Sequence, residues 1–112
     1  MQNLHVKQED KMTIQEIRLN LREIRYYYEH EKLFKTYSKT IPARYITEMV
    51  EKYNRVIENA PPRLYAVYVE LYVNNNSQAA LAEDWGFTNE YIRSLNKKLY
   101  TYILNEFENT DK

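Results

Sequence analysis

The chain holds a single glycine, Gly86, in 112 residues. Glycine enters left-handed backbone turns without steric cost, so a chain almost without it can make few of them. The three prolines, Pro42, Pro61 and Pro62, all fall outside the long periodic stretches. Proline breaks a helix interior but is tolerated in a first turn or a connection. Together these facts predict an all-α protein with proline at the seams and one tight glycine turn.

The apolar spacing supplies the helices. Residues 1–12 lack periodicity and are expected to be frayed. Thr13-Ile14-Gln15-Glu16 reads as a capping box. Ile14, Ile17, Leu21, Ile24 and Tyr28 then form one stripe, opposed by Arg18, Arg22, Glu23 and Arg25. The pattern blurs at Tyr26–Tyr28 and resumes at Leu33, Phe34 and Tyr37, ending before Thr40. Pro42 suits the first turn of the next helix, whose core face is Tyr45/Ile46, Met49, Tyr53 and Val56/Ile57. Asn59-Ala60-Pro61-Pro62 ends it, and Pro62 starts a third helix with Leu64, Val67, Tyr68 and Leu71 inward. The run LYAVYVELYV fits helical spacing better than strand alternation, although its β-branched and aromatic content keeps a strand open. After the polar break Asn74–Ser77 come a short helix, Gln78 to Trp85, and a last helix capped by Thr88. Ile92, Leu95, Leu99, Tyr102 and Ile103 form the stripe of that last helix. The expected organisation is a helical part over 13–60, a helix-turn-helix over 61–107 and a tail over 108–112.

The constellation around Gly86 is the most informative. Ala82 lies one helical turn before Gly86, where a small side chain lets a second helix approach. Leu81, Trp85, Phe87, Ile92 and Leu95 are the apolar residues expected to hold the pair on the third helix. This spacing resembles the helix-turn-helix family of DNA-binding proteins, although a plain helical hairpin with a glycine turn would share it. Outward on the last helix, Asn89, Arg93, Lys97 and Tyr100 fall on one stripe, with Glu90, Ser94 and Lys98 beside it. A recognition helix in the major groove reads bases with its N-terminal residues. Arg93 then suits guanine, Asn89 adenine and Glu90 the cytosine amino group. Lys97, Lys98 and the helix start at Ser77 and Gln78 suit phosphates, and Thr88 stands at the mouth of the recognition helix. The bland account of the same residues is a solvated helix face.

From about Arg63 to Leu104 runs a longer order: Pro-Pro-x-Leu, a tyrosine-rich helix, Asn-Asn-Asn-Ser, Leu-Ala, Gly-Phe, Ile-Arg-Ser-Leu, Lys-Lys-Leu. It is similar to region 4 of sigma-70 factors. It resembles still more the small phage transcription regulators of the RinA/ArpU type. The resemblance implies control of phage late or packaging genes and contact with RNA polymerase.

Charge and composition bound the rest. The formal net charge is zero, which argues against coating nucleic acid by electrostatics alone. Residues 86–105 nevertheless carry three basic side chains and one acidic, so DNA contact is expected to be local. There is no cysteine, which removes disulfides, thiolate zinc sites and cysteine nucleophiles. No run suits a membrane span or a signal peptide, and a cytoplasmic protein is expected. His5 and Glu29-His30-Glu31 offer ligand atoms without a completing pair, so no metal or cofactor is expected. No phosphate-binding loop or catalytic set is present, so no enzyme is expected. The twelve tyrosines, including Tyr45, Tyr53 and Tyr68, are assigned to packing, while Tyr26 and Tyr27 are left to line a partner groove.

The stripe over residues 14–28 has two uses: packing on the chain's own helices, or pairing with a second copy as palindromic DNA sites favour. The expected partners are therefore double-stranded DNA, a homodimer or other homo-oligomer through residues 14–28, and RNA polymerase. Two rival functions stay open. A small terminase subunit also joins a helix-turn-helix to an oligomerising helix. A protein-interaction module, such as an anti-repressor or polymerase-binding factor, would use the same helices only as scaffold.

Overall fold

A computed structural model describes residues 11–37 and 41–110. The chain is all-α: six helices and no strand among the described residues. They are α1 (Ile14–Glu29), α2 (Glu31–Thr36), α3 (Ile41–Ile57), α4 (Pro62–Tyr68), α5 (Gln78–Trp85) and α6 (Asn89–Thr110). The helix continues past α4 as a π-helical turn over Val69–Val73, so LYAVYVELYV is helical throughout its length. The N-terminal ten residues, with His5, and the segment before α3, with Thr40, lie outside the description.

Local signals account for the boundaries. Glu16 N–H donates to the Thr13 hydroxyl at 3.1 Å while Thr13 N–H donates to the Glu16 carboxylate at 2.9 Å, the two halves of a capping box. The Ser77 hydroxyl accepts from Ala80 N–H, and that of Thr88 from Tyr91 N–H. Gly86 closes α5 at φ 74°, ψ 32°, and Phe87 N–H returns to the Ala82 carbonyl at 2.9 Å. Pro42 is the second residue of α3, and Pro62 the first of α4. Helix α6 runs on to Thr110, through most of the stretch read as a tail.

One core joins the two expected parts. Ile17, Leu21 and Ile24 of α1 pack with Tyr53 and Ile57 of α3, Val67 and Tyr68 of α4, and Leu99 and Ile103 of α6. The α1 stripe is therefore used inside the chain. Burying each of those three α1 side chains contributes about 1.5–3 kcal/mol. Exposing all three for a partner would cost roughly 5–9 kcal/mol, comparable with the whole stability of a small domain. Any partner of residues 14–28 must instead meet their outward side, where Ile14, Leu19 and Tyr26 are exposed.

Three tyrosines also depart from expectation. Tyr45 is 63% exposed. The α3 stripe centres on Ala43, Ile46, Val50, Tyr53 and Ile57, which leaves Tyr45 at its edge with a hydroxyl that water can solvate. Tyr27 is buried, tilted against Phe34 at 5.4 Å between ring centroids, so of the pair left for a partner only Tyr26 faces out. Tyr28 is half-buried, and its hydroxyl accepts from Asn54 at 3.1 Å.

Candidate nucleic-acid interface

The three-residue turn Gly86–Thr88 joins α5 to α6, which pack on each other. Leu81 and Ala82 on α5 and Ile92 and Leu95 on α6 are all buried, and Trp85 packs against the same core. Phe87 is different: it is 40% exposed rather than buried in the third helix. Its ring meets Tyr91 edge-on at 4.6 Å, and the Arg63 guanidinium lies 5.2 Å from its centroid. Arg63 also donates to the Tyr91 hydroxyl at 3.1 Å. Phe87 thus clamps the turn to the start of α4 from outside.

With its apolar stripe fixed inward, α6 has no choice about what it turns outward. Asn89, Glu90, Arg93, Ser94, Lys97 and Lys98 are all exposed. Among the described residues none of these cations is paired with a carboxylate. Tyr100, placed on the same stripe by spacing, is half-buried because its hydroxyl is tied to the core. Asn96, 4% exposed, donates to it at 2.9 Å and accepts from the Tyr72 hydroxyl at 2.7 Å. This chain of bonds pins the rotation of α6 against the π-helical turn, because any slip would strand a buried amide. Burial pushes the Tyr72 phenol well above its ordinary range, with Tyr100 adding to the effect and the Asn96 bond opposing it.

The hydroxyls on this side are already engaged, which limits their chemistry. Those of Ser77 and Thr88 accept from backbone and keep a proton to donate to a phosphate. Ser94 donates its proton to the Tyr91 carbonyl at 2.7 Å, so it can only accept, as from a base amino group. Glu90 stands in the first turn of α6, where the helix dipole also favours a carboxylate.

Beside this face, Gln78, Arg93, Asn96, Lys97, Tyr100 and Thr101 meet Ile14 and Arg18 of α1 around an open groove of about 530 Å³. Spacing alone marks Arg18 as outward-facing but cannot tell what it faces, since the contact spans most of the chain. At the junction of α1 and α2, the His30 imidazole stacks on Tyr26 at 4.2 Å, and its Nδ1 lies 3.1 Å from the Tyr26 carbonyl. No group of three His, Asp or Glu side chains is gathered for a metal among the described residues. No helix of the described residues is long and apolar enough to cross a membrane. Comparison with protein-family models, curated proteins and solved structures returned no match for this chain.

Proposed function

We propose that this protein is a sequence-specific DNA-binding transcription regulator of the kind its sequence resembles, phage-encoded, acting in the host cytoplasm without enzymatic activity. The N-terminal half of α6 enters the major groove. The observation that carries this reading is the outward face of α6, a continuous run of donors and acceptors held rigidly by its buried opposite face. Arg93 reads guanine, Asn89 adenine and Glu90 cytosine, while Ser94 accepts from an exposed amino group. Lys97, Lys98, Ser77, Gln78 and Thr88 meet phosphates and fix register. The zero net charge makes the affinity depend on this face rather than on the whole molecule.

A two-fold operator calls for a second copy, and the surface available to it is the outward side of α1, with Leu19 and Tyr26. RNA polymerase is the other partner in this reading.

The test is selection from a random-sequence duplex pool, with fluorescence anisotropy at two salt concentrations. Enrichment of a short motif, with affinity falling as salt rises, is the expected result. No retention at low salt would remove DNA from the function and leave the protein-interaction reading. Rings of many copies in light scattering would favour the DNA-packaging role.

A further inference from the structure

Arg18 belongs to the N-terminal helix, yet it lines the same groove as Arg93 and Lys97 of α6. The groove brings together three cations and the amides of Gln78 and Asn96, and no carboxylate lines it. None of the three cations is ion-paired among the described residues. Arg18 makes one long bond, 3.4 Å to the Gln15 side chain, which leaves most of its guanidinium donors free. Like charges gathered without counter-charge repel one another, and an anion in the groove relieves that repulsion. Such a site suits a chain of phosphates better than a lone carboxylate, because the cations are spread along two helices. The exposed Ile14 at the groove edge adds an apolar contact suited to a sugar.

We infer that this groove is a track for the phosphate backbone of the bound duplex, and that Arg18 is a phosphate contact delivered by α1. The inference rests on the DNA-binding reading of α6 and extends it to a helix outside the helix-turn-helix. With the N-terminal half of α6 in the major groove, Arg93 at the lip of the track reaches the base edges while Lys97 looks toward one wall of that groove, and α1 stands beside the same wall. The N-terminal part is then a component of the DNA interface.

The test compares the full chain with Arg18→Ala, Arg18→Lys and, as a control away from the groove, Arg44→Ala. Affinity is measured for a selected duplex and for a random duplex across a salt series. Arg18→Ala should weaken both duplexes alike, by roughly threefold to tenfold, and lower the salt slope by about 1. Arg18→Lys should keep the slope, and Arg44→Ala should leave both quantities unchanged. Melting curves of Arg18→Ala and Arg18→Lys should match the wild type, since the side chain is exposed. If the wild type binds with salt dependence but Arg18→Ala has the wild-type slope and affinity, the groove is off the DNA path and the inference is overturned. Loss confined to the selected duplex would make Arg18 a base reader and overturn the phosphate assignment. No salt-dependent binding by the wild type would overturn the DNA-binding reading as well.

Discussion

Helices α1 and α6 lie against each other in one core, yet they turn different surfaces to solvent. Both bury an apolar stripe completely at its centre, Ile17, Leu21 and Ile24 on one and Ile92, Leu99 and Ile103 on the other. Outward, α1 shows Leu19 and Tyr26 among its charges. Helix α6 exposes one large hydrophobic side chain, Tyr91, and is otherwise amide, carboxylate, hydroxyl and cation on its outward face. Packing energy dictates the inward faces in the same way, whereas the outward faces are free of it. Under the proposed function the difference matches what each helix would meet: protein over much of α1, and the hydrogen-bonding, anionic surface of DNA over α6.

Alkaline pH should erase the distinction altogether. Three buried phenols tie the regions together: Tyr53 to Asn20, Tyr68 to Asn54 and Tyr72 to Asn96. Burial pushes Tyr53 up from 10.0 to about 12, with the Asn20 bond opposing the shift, and pushes Tyr68 and Tyr72 higher still. A group whose folded pKa is raised stabilises fully below its unfolded pKa and loses that contribution as pH climbs through the folded value. Stability should thus hold up to about pH 10 and then collapse, with both regions unfolding together as tyrosinate absorbance rises. Conversion of all twelve tyrosines to tyrosinate near pH 10 without loss of helix would mean that these phenols are not buried.

Truncation in α1 should be the largest single-residue effect. Leu21→Ala is expected to cost about 2–5 kcal/mol, and Trp85 fluorescence should report the loss at the same temperature as helical circular dichroism. Separate transitions would mean that α1 is a detachable unit rather than part of the core shared with α6.

Much of the fold was legible because its signals are local. Thr13 with Glu16, Ser77 before α5, Gly86 after it and Thr88 before α6 each act within one turn of chain, and each boundary falls where the sequence predicts. What could not be read depends on contacts far apart in sequence. The α1 stripe has the same periodicity whether it packs on its own chain or on a copy, so its burial needed the tertiary structure. Tyr45 falls within core spacing yet stands at the edge of its stripe, Phe87 holds the turn to α4 from outside, and Arg18 lines a groove with α6 only because α1 lies beside it. The Asn96–Tyr72 bond joins residues 24 apart and gives no periodic sign.

Two substitutions sharpen the contrast on the α6 side. Arg93→Ala should lose about 1–3 kcal/mol of DNA affinity and relax preference at one base, whereas Lys97→Ala should weaken all duplexes alike. Selection repeated with each variant separates the two, and identical negligible effects would remove α6 as the reading surface. Gly86→Val acts on the turn rather than on the reading surface and should cost roughly 1–2 kcal/mol of stability. A Cβ there meets open space, so the cost comes from the left-handed φ alone. Calorimetry showing an unchanged melting temperature would mean that the turn can relax to another conformation.

Among the described residues only Asn75 and Gly86 have positive φ, and they stand at the two ends of α5. Elsewhere among the described residues the backbone asks for no left-handed conformation. Drift in such a protein can run through almost the whole sequence, limited by volume inside and by partner outside. The exceptions are the two swivels that aim α5, so, on the DNA-binding reading, descendants with altered operators should differ along α6 while keeping glycine, asparagine or a close mimic at these two points.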